Sequence, residues 1–299
     1  MNNLDKGMTV IVTGSSGFIG KKLCIALSLK GYKVLQIQRT ISDSPNVINL
    51  DLSEQLIPDS ICKKTRFIFH LAGLAHDTAY SSNEELYKKA NITSSINVAS
   101  QAKKNAVKKV IYMSSVKAFE AESGGDAIYS TSKLKAEKSI SSILDDCETE
   151  LAILRSSAVY GPSSPGLIGK MFKAIKSGWF PPLPNFNNKR SMVHVDDIVD
   201  LLIFLAEKKT IKNQIYVGAD NGLYNSEEIY DLLRKASGRS PVKLKIPVIF
   251  FNIAFKLVPN GKFYLSKLSS NEYYNNLSVV KLGYKFKYLL SDIERSKYV

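Results

Sequence analysis

The chain has 299 residues, 44% of them hydrophobic and 23% charged, with 17 Gly and 10 Pro. That composition excludes disordered, collagen-like and low-complexity classes, and the length suffices for one large α/β unit or two smaller ones. The 41 basic residues outnumber the 27 acidic ones, a formal charge of +14 that admits nucleic acid, an anionic membrane surface or small anionic ligands as partners.

The lysine pairs Lys63-Lys64, Lys88-Lys89, Lys103-Lys104, Lys108-Lys109 and Lys208-Lys209 are scattered and lack interleaved aromatics, so no nucleic-acid partner is expected. Cys24, Cys62 and Cys147 are widely spaced and form no CxxC pair, which fits a reducing compartment. No basic segment followed by an apolar run opens the chain. The apolar stretch Ile246–Phe255, broken by Pro247 and Asn252, is too short to cross a bilayer, so a cytoplasmic location is expected.

In chain order, short β-branched runs alternate with helical periodicity. The runs at Thr9–Val12, Lys33–Gln38, Asn46–Leu50, Phe67–Leu71, Val110–Ser114 and Leu151–Arg155 predict strands, and Phe18–Leu29 and Glu84–Asn105 predict helices. Repeated βαβ units require a parallel sheet with right-handed crossovers, so the expected class is α/β, a Rossmann-like doubly wound parallel sheet. The rhythm breaks after Tyr160-Gly161-Pro162. Beyond it, a helix near Ile168–Lys176, a Pro- and Asn-rich loop over Ser177–Asn188 and a helix from near Asp196 predict a smaller, discontinuous C-terminal lobe. The boundaries are thus 1–160 for a dinucleotide-binding domain and 161–299 for a substrate lobe, some of whose segments return to the first.

The first strand runs directly into Thr13-Gly14-Ser15-Ser16-Gly17-Phe18-Ile19-Gly20, which opens the first helix. Gly14, Ser16, Gly17, Phe18, Ile19 and Gly20 therefore form a candidate pyrophosphate cradle, with tight backbone turns and helix N-terminal amides facing the charge. An NAD site carries a carboxylate near the end of the second strand to bond the ribose hydroxyl, whereas Gln38-Arg39-Thr40 stands here. Arg39 suits a 2′-phosphate, so NADP(H) is expected ahead of NAD(H). Asp51 and Leu52, past the third strand, are placed to contact the adenine.

Tyr129 and Lys133 lie on one face of a helix expected to run to about Leu144. The ammonium is expected to lower the phenol pKa toward neutrality and make it a general acid/base, while Ser115, at the carboxyl end of a parallel strand, can bond the same substrate oxygen. His70 falls at a strand end and His76 in the following loop. His194, just before Asp196, suits a helix N-cap, so the three separated histidines predict no metal site. The aromatic and basic segment Lys243–Lys256 reads foremost as a helix packed on its own lobe, with weak association to an anionic membrane surface as the alternative.

These residues, with His70-Leu71-Ala72-Gly73, Asn91, Val159-Tyr160-Gly161-Pro162 and Arg190-Ser191-Met192-Val193-His194-Val195-Asp196-Asp197, resemble the extended short-chain dehydrogenase/reductases, specifically their nucleotide-sugar epimerase, dehydratase and reductase group. The resemblance implies that Ser115, Tyr129 and Lys133 are catalytic, that Leu71, Ala72, Gly73, Asn91, Tyr129 and Lys133 contact the cofactor, and that Arg190 holds the diphosphate of a UDP-sugar. Lys117 would touch the sugar or its phosphates. It also implies a homodimer built on a helix pair. Ser114-Ser115-Val116-Lys117, Pro182-Leu183-Pro184 and Lys281-Leu282-Gly283-Tyr284 look most like bacterial reductases acting at C4 of UDP-4-keto-6-deoxy-N-acetylhexosamines in surface polysaccharide synthesis. Ser156 and Ala158 stand where that group usually has Pro and often Asn. The implied chemistry is hydride transfer from NADPH to C4 with Tyr129 protonating the oxygen. A 4-epimerase with tightly bound NAD is the alternative, and a non-catalytic dinucleotide sensor or scaffold is the alternative of another class. A dehydratase is disfavoured, because Val116-Lys117 replaces the Asp-Glu pair of those relatives.

Overall fold

β1 (Thr9–Thr13) is almost wholly buried because it occupies the middle of a parallel sheet covered on both faces, where strands read as continuous apolar runs. The computed structural model describes residues 7–75, 83–211, 214–240, 242, 246–257 and 261–294, so His76 and part of the segment beginning at Lys243 lie outside the described residues. Two units divide the chain. The first comprises Met1–Ser156, Ile198–Gly218 and Ser278–Tyr284, and the second Ser157–Asp197, Ala219–Leu277 and Lys285–Val299.

In the first unit, α1 (Phe18–Leu29) leads to β2 (Lys33–Gln38), then β3 (Val47–Asn49), α2 (Asp59–Cys62) and β4 (Thr65–His70). One helical run follows as α3 (Glu84–Tyr87), a π-helical stretch Lys88–Thr93 and α4 (Ser94–Lys104). Next come β5 (Lys109–Ser115), α5 (Lys117–Glu122), α6 (Ile128–Leu144) and β6 (Glu150–Ser156). All neighbouring strands pair in parallel, in the order β3-β2-β1-β4-β5-β6-β9, where β9 (Gln214–Gly218) closes the edge from far along the sequence. The expected strands are present within a few residues of their predicted ends. β3 is shorter than expected, as an edge strand with only one partner. β9 was not foreseen, being an isolated five-residue run.

After β3 the chain crosses to the other side of β1, so the connections diverge between β1 and β4, the position at which open α/β sheets place a ligand at the carboxyl ends of the strands. Beneath it, Ile11, Ile68, Val98, Tyr112, Ala136, Ile140 and Ile153 share one core cluster, which fixes α4 and α6 against the sheet.

The second unit holds a two-stranded parallel sheet of β7 (Ala158–Tyr160) and β8 (Met192–His194). Between them lies α7 (Leu167–Ser177), ended by Gly178 at φ +90°, and then the proline-rich loop. α8 (Val195–Glu207) starts here and continues in the first unit from Ile198; the His194 imidazole accepts the Asp196 N–H at 3.3 Å and so caps it. α9 (Ser226–Ala236) begins in an Asn225/Glu228 capping box. It is followed by α10 (Val248–Lys256), α11 (Gly261–Ser269) and α12 (Leu277–Val280), the last continuing into the first unit. Tyr160, Met171, Ile175, Leu183, Leu233, Phe251 and Leu268 belong to this unit's core. Among the described residues no helix is long and apolar enough to cross a membrane, and no cluster of His, Cys, Asp and Glu could hold a metal ion.

Candidate active site

The turn after β1 is closed by backbone contacts that leave no room for a side chain. Gly14 sits at φ +67°, and a Cβ there would lie 2.7 Å from the Ala72 nitrogen and 2.8 Å from the Leu71 carbonyl carbon. The loops after β1 and β4 therefore touch only because residue 14 has no side chain. A Cβ on Gly20 would approach the Gly14 oxygen to 2.2 Å, so this helical turn can close against the loop only with glycine. Ser16 and Gly17 are exposed, Phe18 and Ile19 half-buried, and Gly17 N-caps α1 with no side-chain hydrogen bond and no acidic residue in the first turn. A helix N-terminus without a side-chain cap or a competing carboxylate fits a pyrophosphate.

At the end of β2, Arg39 is exposed, and its carbonyl accepts the Asn49 amide at 2.5 Å. Burial pushes the Asp51 carboxyl up, yet the Ser53 hydroxyl and backbone N–H, at 2.7 and 2.9 Å, with the charges of Arg39 and Lys89, hold it below its ordinary value. Leu52 is 5% exposed and joins the core with Ile37 and Ile57, where burial of its apolar side chain is favourable.

Ser115 ends β5, and its hydroxyl is hydrogen-bonded to the Tyr129 phenol at the start of α6. The Lys117 N–H donates to the same serine oxygen at 3.2 Å. Burial pushes the Tyr129 pKa above its ordinary value, against the lowering effects of Ser115 and of the Lys117 charge. The sequence-based expectation, that Lys133 would draw the phenol toward neutrality, is thus corrected. The Lys133 ammonium instead donates to the Met113 carbonyl at 3.0 Å and the Tyr112 hydroxyl at 3.3 Å, and lies 4.9 Å from the Tyr112 ring centroid. Burial pulls Lys133 down to about 8, although Glu137 opposes the shift. A Cβ on Gly73 would sit 3.5 Å from that ammonium and 2.7 Å from Asn91 Oδ1, so Gly73, Asn91 and Lys133 lie close together, with no room for a side chain at residue 73.

Asn91 is fully buried in the π-helical stretch. Its side chain accepts the Leu74 N–H at 2.7 Å and donates to the Leu74 carbonyl at 3.1 Å and to Ser132 Oγ at 2.9 Å, while Ser132 donates to the Tyr129 carbonyl at 2.8 Å. The loop carrying Leu71, Ala72 and Gly73 is therefore tied to the helix carrying Tyr129 and Lys133.

Residues that sequence reasoning missed complete the support. Thr13 Oγ1 accepts the Ala72 N–H at 3.1 Å, which leaves its proton for His70 Nδ1 at 2.7 Å. His70 Nε2–H then donates to Ser95 Oγ at 2.9 Å, and Ser95 passes its own proton to the Asn91 carbonyl at 2.5 Å. Only the Nε2–H tautomer satisfies this chain. Burial, with the Lys133 charge, pulls the His70 pKa down to about 3, so the ring is neutral. On the other side of α6, the fully buried Arg155 donates to Glu137 at 2.5 to 3.2 Å and to Glu122 at 2.6 and 2.9 Å, with Ser114 donating to Glu137.

Lys117 forms an ion pair with Glu120 and is largely covered. Arg190 belongs to the second unit, where its guanidinium donates to the Lys267 carbonyl and, at 3.2 Å, to Glu272.

A doubly wound sheet with a glycine cradle at its switch point and a Ser-Tyr-Lys set on β5 and α6 defines a dinucleotide-binding oxidoreductase fold. The family model described as NAD dependent epimerase/dehydratase family matches residues 10–218, and the chain belongs to that family. The likeness drawn from the motifs therefore holds at family level. Among similar proteins, the UDP-glucose 4-epimerase of Vibrio cholerae is 25% identical over 268 residues, 83% of this chain and 82% of the relative. The N-acetyl-alpha-D-glucosaminyl-diphospho-ditrans,octacis-undecaprenol 4-epimerase of Escherichia coli O157:H7 is 22% identical over 80% of this chain and 75% of its own. Among solved structures, UDP-glucose 4-epimerase of Thermotoga maritima with UDP-glucose has a TM-score of 0.76 at 19% identity, covering 97% of both chains. UDP-glucuronic acid 4-epimerase of Bacillus cereus with UDP-glucuronic acid and NAD has a TM-score of 0.77 at 19% identity, covering 97% and 98%.

Proposed function

We propose that this protein is a UDP-sugar 4-epimerase working with a nicotinamide dinucleotide, which supplies a reversible hydride acceptor when bound. The observation that carries the reading is the Ser115–Tyr129 hydroxyl pair, with Lys133 one helical turn beyond Tyr129 on α6. In that role Tyr129 removes the proton from the C4 hydroxyl and returns it to the same oxygen once the keto sugar has turned its other face to the nicotinamide, so that the hydride taken up from C4 comes back on that face. Ser115 shares the same oxygen and keeps it in line, and Lys133 holds the nicotinamide ribose. The Gly14–Gly20 turn takes the pyrophosphate. The resemblance gives Arg190 the UDP diphosphate, for which it would exchange its bond to Glu272.

A second reading, a 4-keto reductase using NADPH, is favoured by Arg39 where a ribose-binding carboxylate is absent, and by burial that keeps Tyr129 protonated and ready to donate. One experiment separates them. The purified protein is incubated with UDP-glucose and UDP-N-acetylglucosamine without added reductant, and with an undecaprenyl-diphosphate N-acetylhexosamine because of the E. coli relative. In parallel, 4-keto UDP-sugars are supplied with NADPH or NADH. Interconversion of C4 epimers without reductant, with NAD released on denaturation, supports the epimerase. Consumption of NADPH by the keto sugar alone replaces it with the reductase, and neither activity overturns both.

A further inference from the structure

We propose that α10 docks the protein on an anionic lipid surface, its outer side chains inserting among the headgroups while flanking lysines meet the phosphates. α10 has two apolar sides. Phe251 and Phe255 stack at 4.4 Å on the inner side, and Phe186 packs against Phe251 at 5.8 Å, which anchors the helix in the second unit's core. The outer side needs no further apolar residue for folding, yet it carries Ile249 (64% exposed), Phe250 (64%), Ile253 (53%) and, at its end, Leu257 (85%). Positions 249, 250, 253 and 257 form one stripe of a helix, and a contiguous stripe of large apolar side chains marks a contact surface where single ones would not.

The charge around the stripe selects the occupant. From Leu232 to Asn271 the chain has eight basic residues and no acidic one, more than half of its whole excess of +14. Exposed Lys256 closes α10 and exposed Lys262 stands at the start of α11. A second copy of the same surface would bring like charges together. An anionic bilayer offers both the apolar interior that the stripe needs and the phosphates that the lysines need. With nine residues the helix would lie in the interface and could not span it. The proposal rests on the second unit alone and is independent of which sugar is the substrate.

The test is flotation of the full-length protein with phosphatidylcholine vesicles, with and without phosphatidylglycerol, at low and high salt, while sedimentation velocity reports its oligomeric state. The wild type is expected to float with the phosphatidylglycerol vesicles and to be released by salt. Phe250→Ser/Ile253→Ser and, separately, Lys256→Glu/Lys262→Glu are expected to weaken that binding about tenfold or more. Leu257→Ser, the most exposed position, supplies a milder variant whose folding does not depend on the replaced side chain. An unchanged melting temperature and retained dinucleotide binding confirm that each variant is folded. Absence of wild-type binding, equal flotation of all variants, or a change of oligomeric state in Phe250→Ser/Ile253→Ser with vesicle binding intact would each overturn the proposal. Because the readout is binding to vesicles without sugar, its failure leaves the epimerase reading standing, and the reverse also holds.

Discussion

At the scale of single residues, Tyr129 and His70 face opposite demands from burial. The phenol is pushed toward its protonated form, and only the Ser115 hydroxyl and the Lys117 charge oppose that. Tyr129→Phe removes the proton carrier but leaves the ring and the glycine cradle. Turnover of the UDP-sugar should fall about 10²–10⁴-fold while dinucleotide affinity, followed by titration calorimetry, stays within a few-fold. His70 titrates at about 3 in the folded chain against 6.5 as a free side chain. Between those values the unfolded chain binds a proton that the native protein refuses. Stability is therefore intact above pH 6.5 and declines as pH drops toward 3, by roughly 2 kcal/mol at pH 5. Urea unfolding at a series of pH values should show that slope in the wild type, and His70→Gln should lose it whatever its absolute stability.

At the scale of elements, α6 is held from both sides, by the hydrogen-bond chain through Ser132 and Asn91 and by the pair Arg155–Glu137 at the back. Glu137 is one helical turn after Lys133, and its side chain is only 3% exposed. Arg155→Met would leave that carboxylate buried without its hydrogen-bonded cation, at a cost of about 3–5 kcal/mol, whereas Glu122, 40% exposed, can rehydrate. The double variant Arg155→Met/Glu137→Gln should recover much of the loss in thermal unfolding, since both members of the buried pair are then uncharged. The π-helical stretch belongs to the same logic: it puts Asn91 where it reaches Leu74 and Ser132 together, and π-bulges of this kind recur at functional sites.

At the scale of the whole molecule, the first unit's sheet ends with a strand supplied late in the sequence. β9 pairs along β6 from Ala152 to Ser156, so a fragment ending at residue 160 would expose the hydrogen-bonding edge of an apolar strand. That fragment is expected to aggregate or to melt without cooperativity by circular dichroism, while the full chain should unfold with a defined transition. The same connectivity explains how far the sequence could be read. Buried parallel strands, the glycine turn and the Tyr129/Lys133 spacing are local patterns, and they were legible with Ser115. β9 was not, because its position depends on a partner far away in the chain. Nor was the network of Thr13, His70 and Ser95 legible, since it depends on the register that sets Thr13 beside His70 and on the packing that brings Ser95 of α4 to the ring. The Lys133 charge was misread because its distance to Tyr129 along the helix says nothing of the Met113 carbonyl and Tyr112 hydroxyl that engage it. Vectorial synthesis adds a last consequence. Because Ser278–Tyr284 contributes to the first unit, that unit cannot close on the ribosome until this late segment has emerged, and a stop placed before it is expected to leave the unit open to proteolysis.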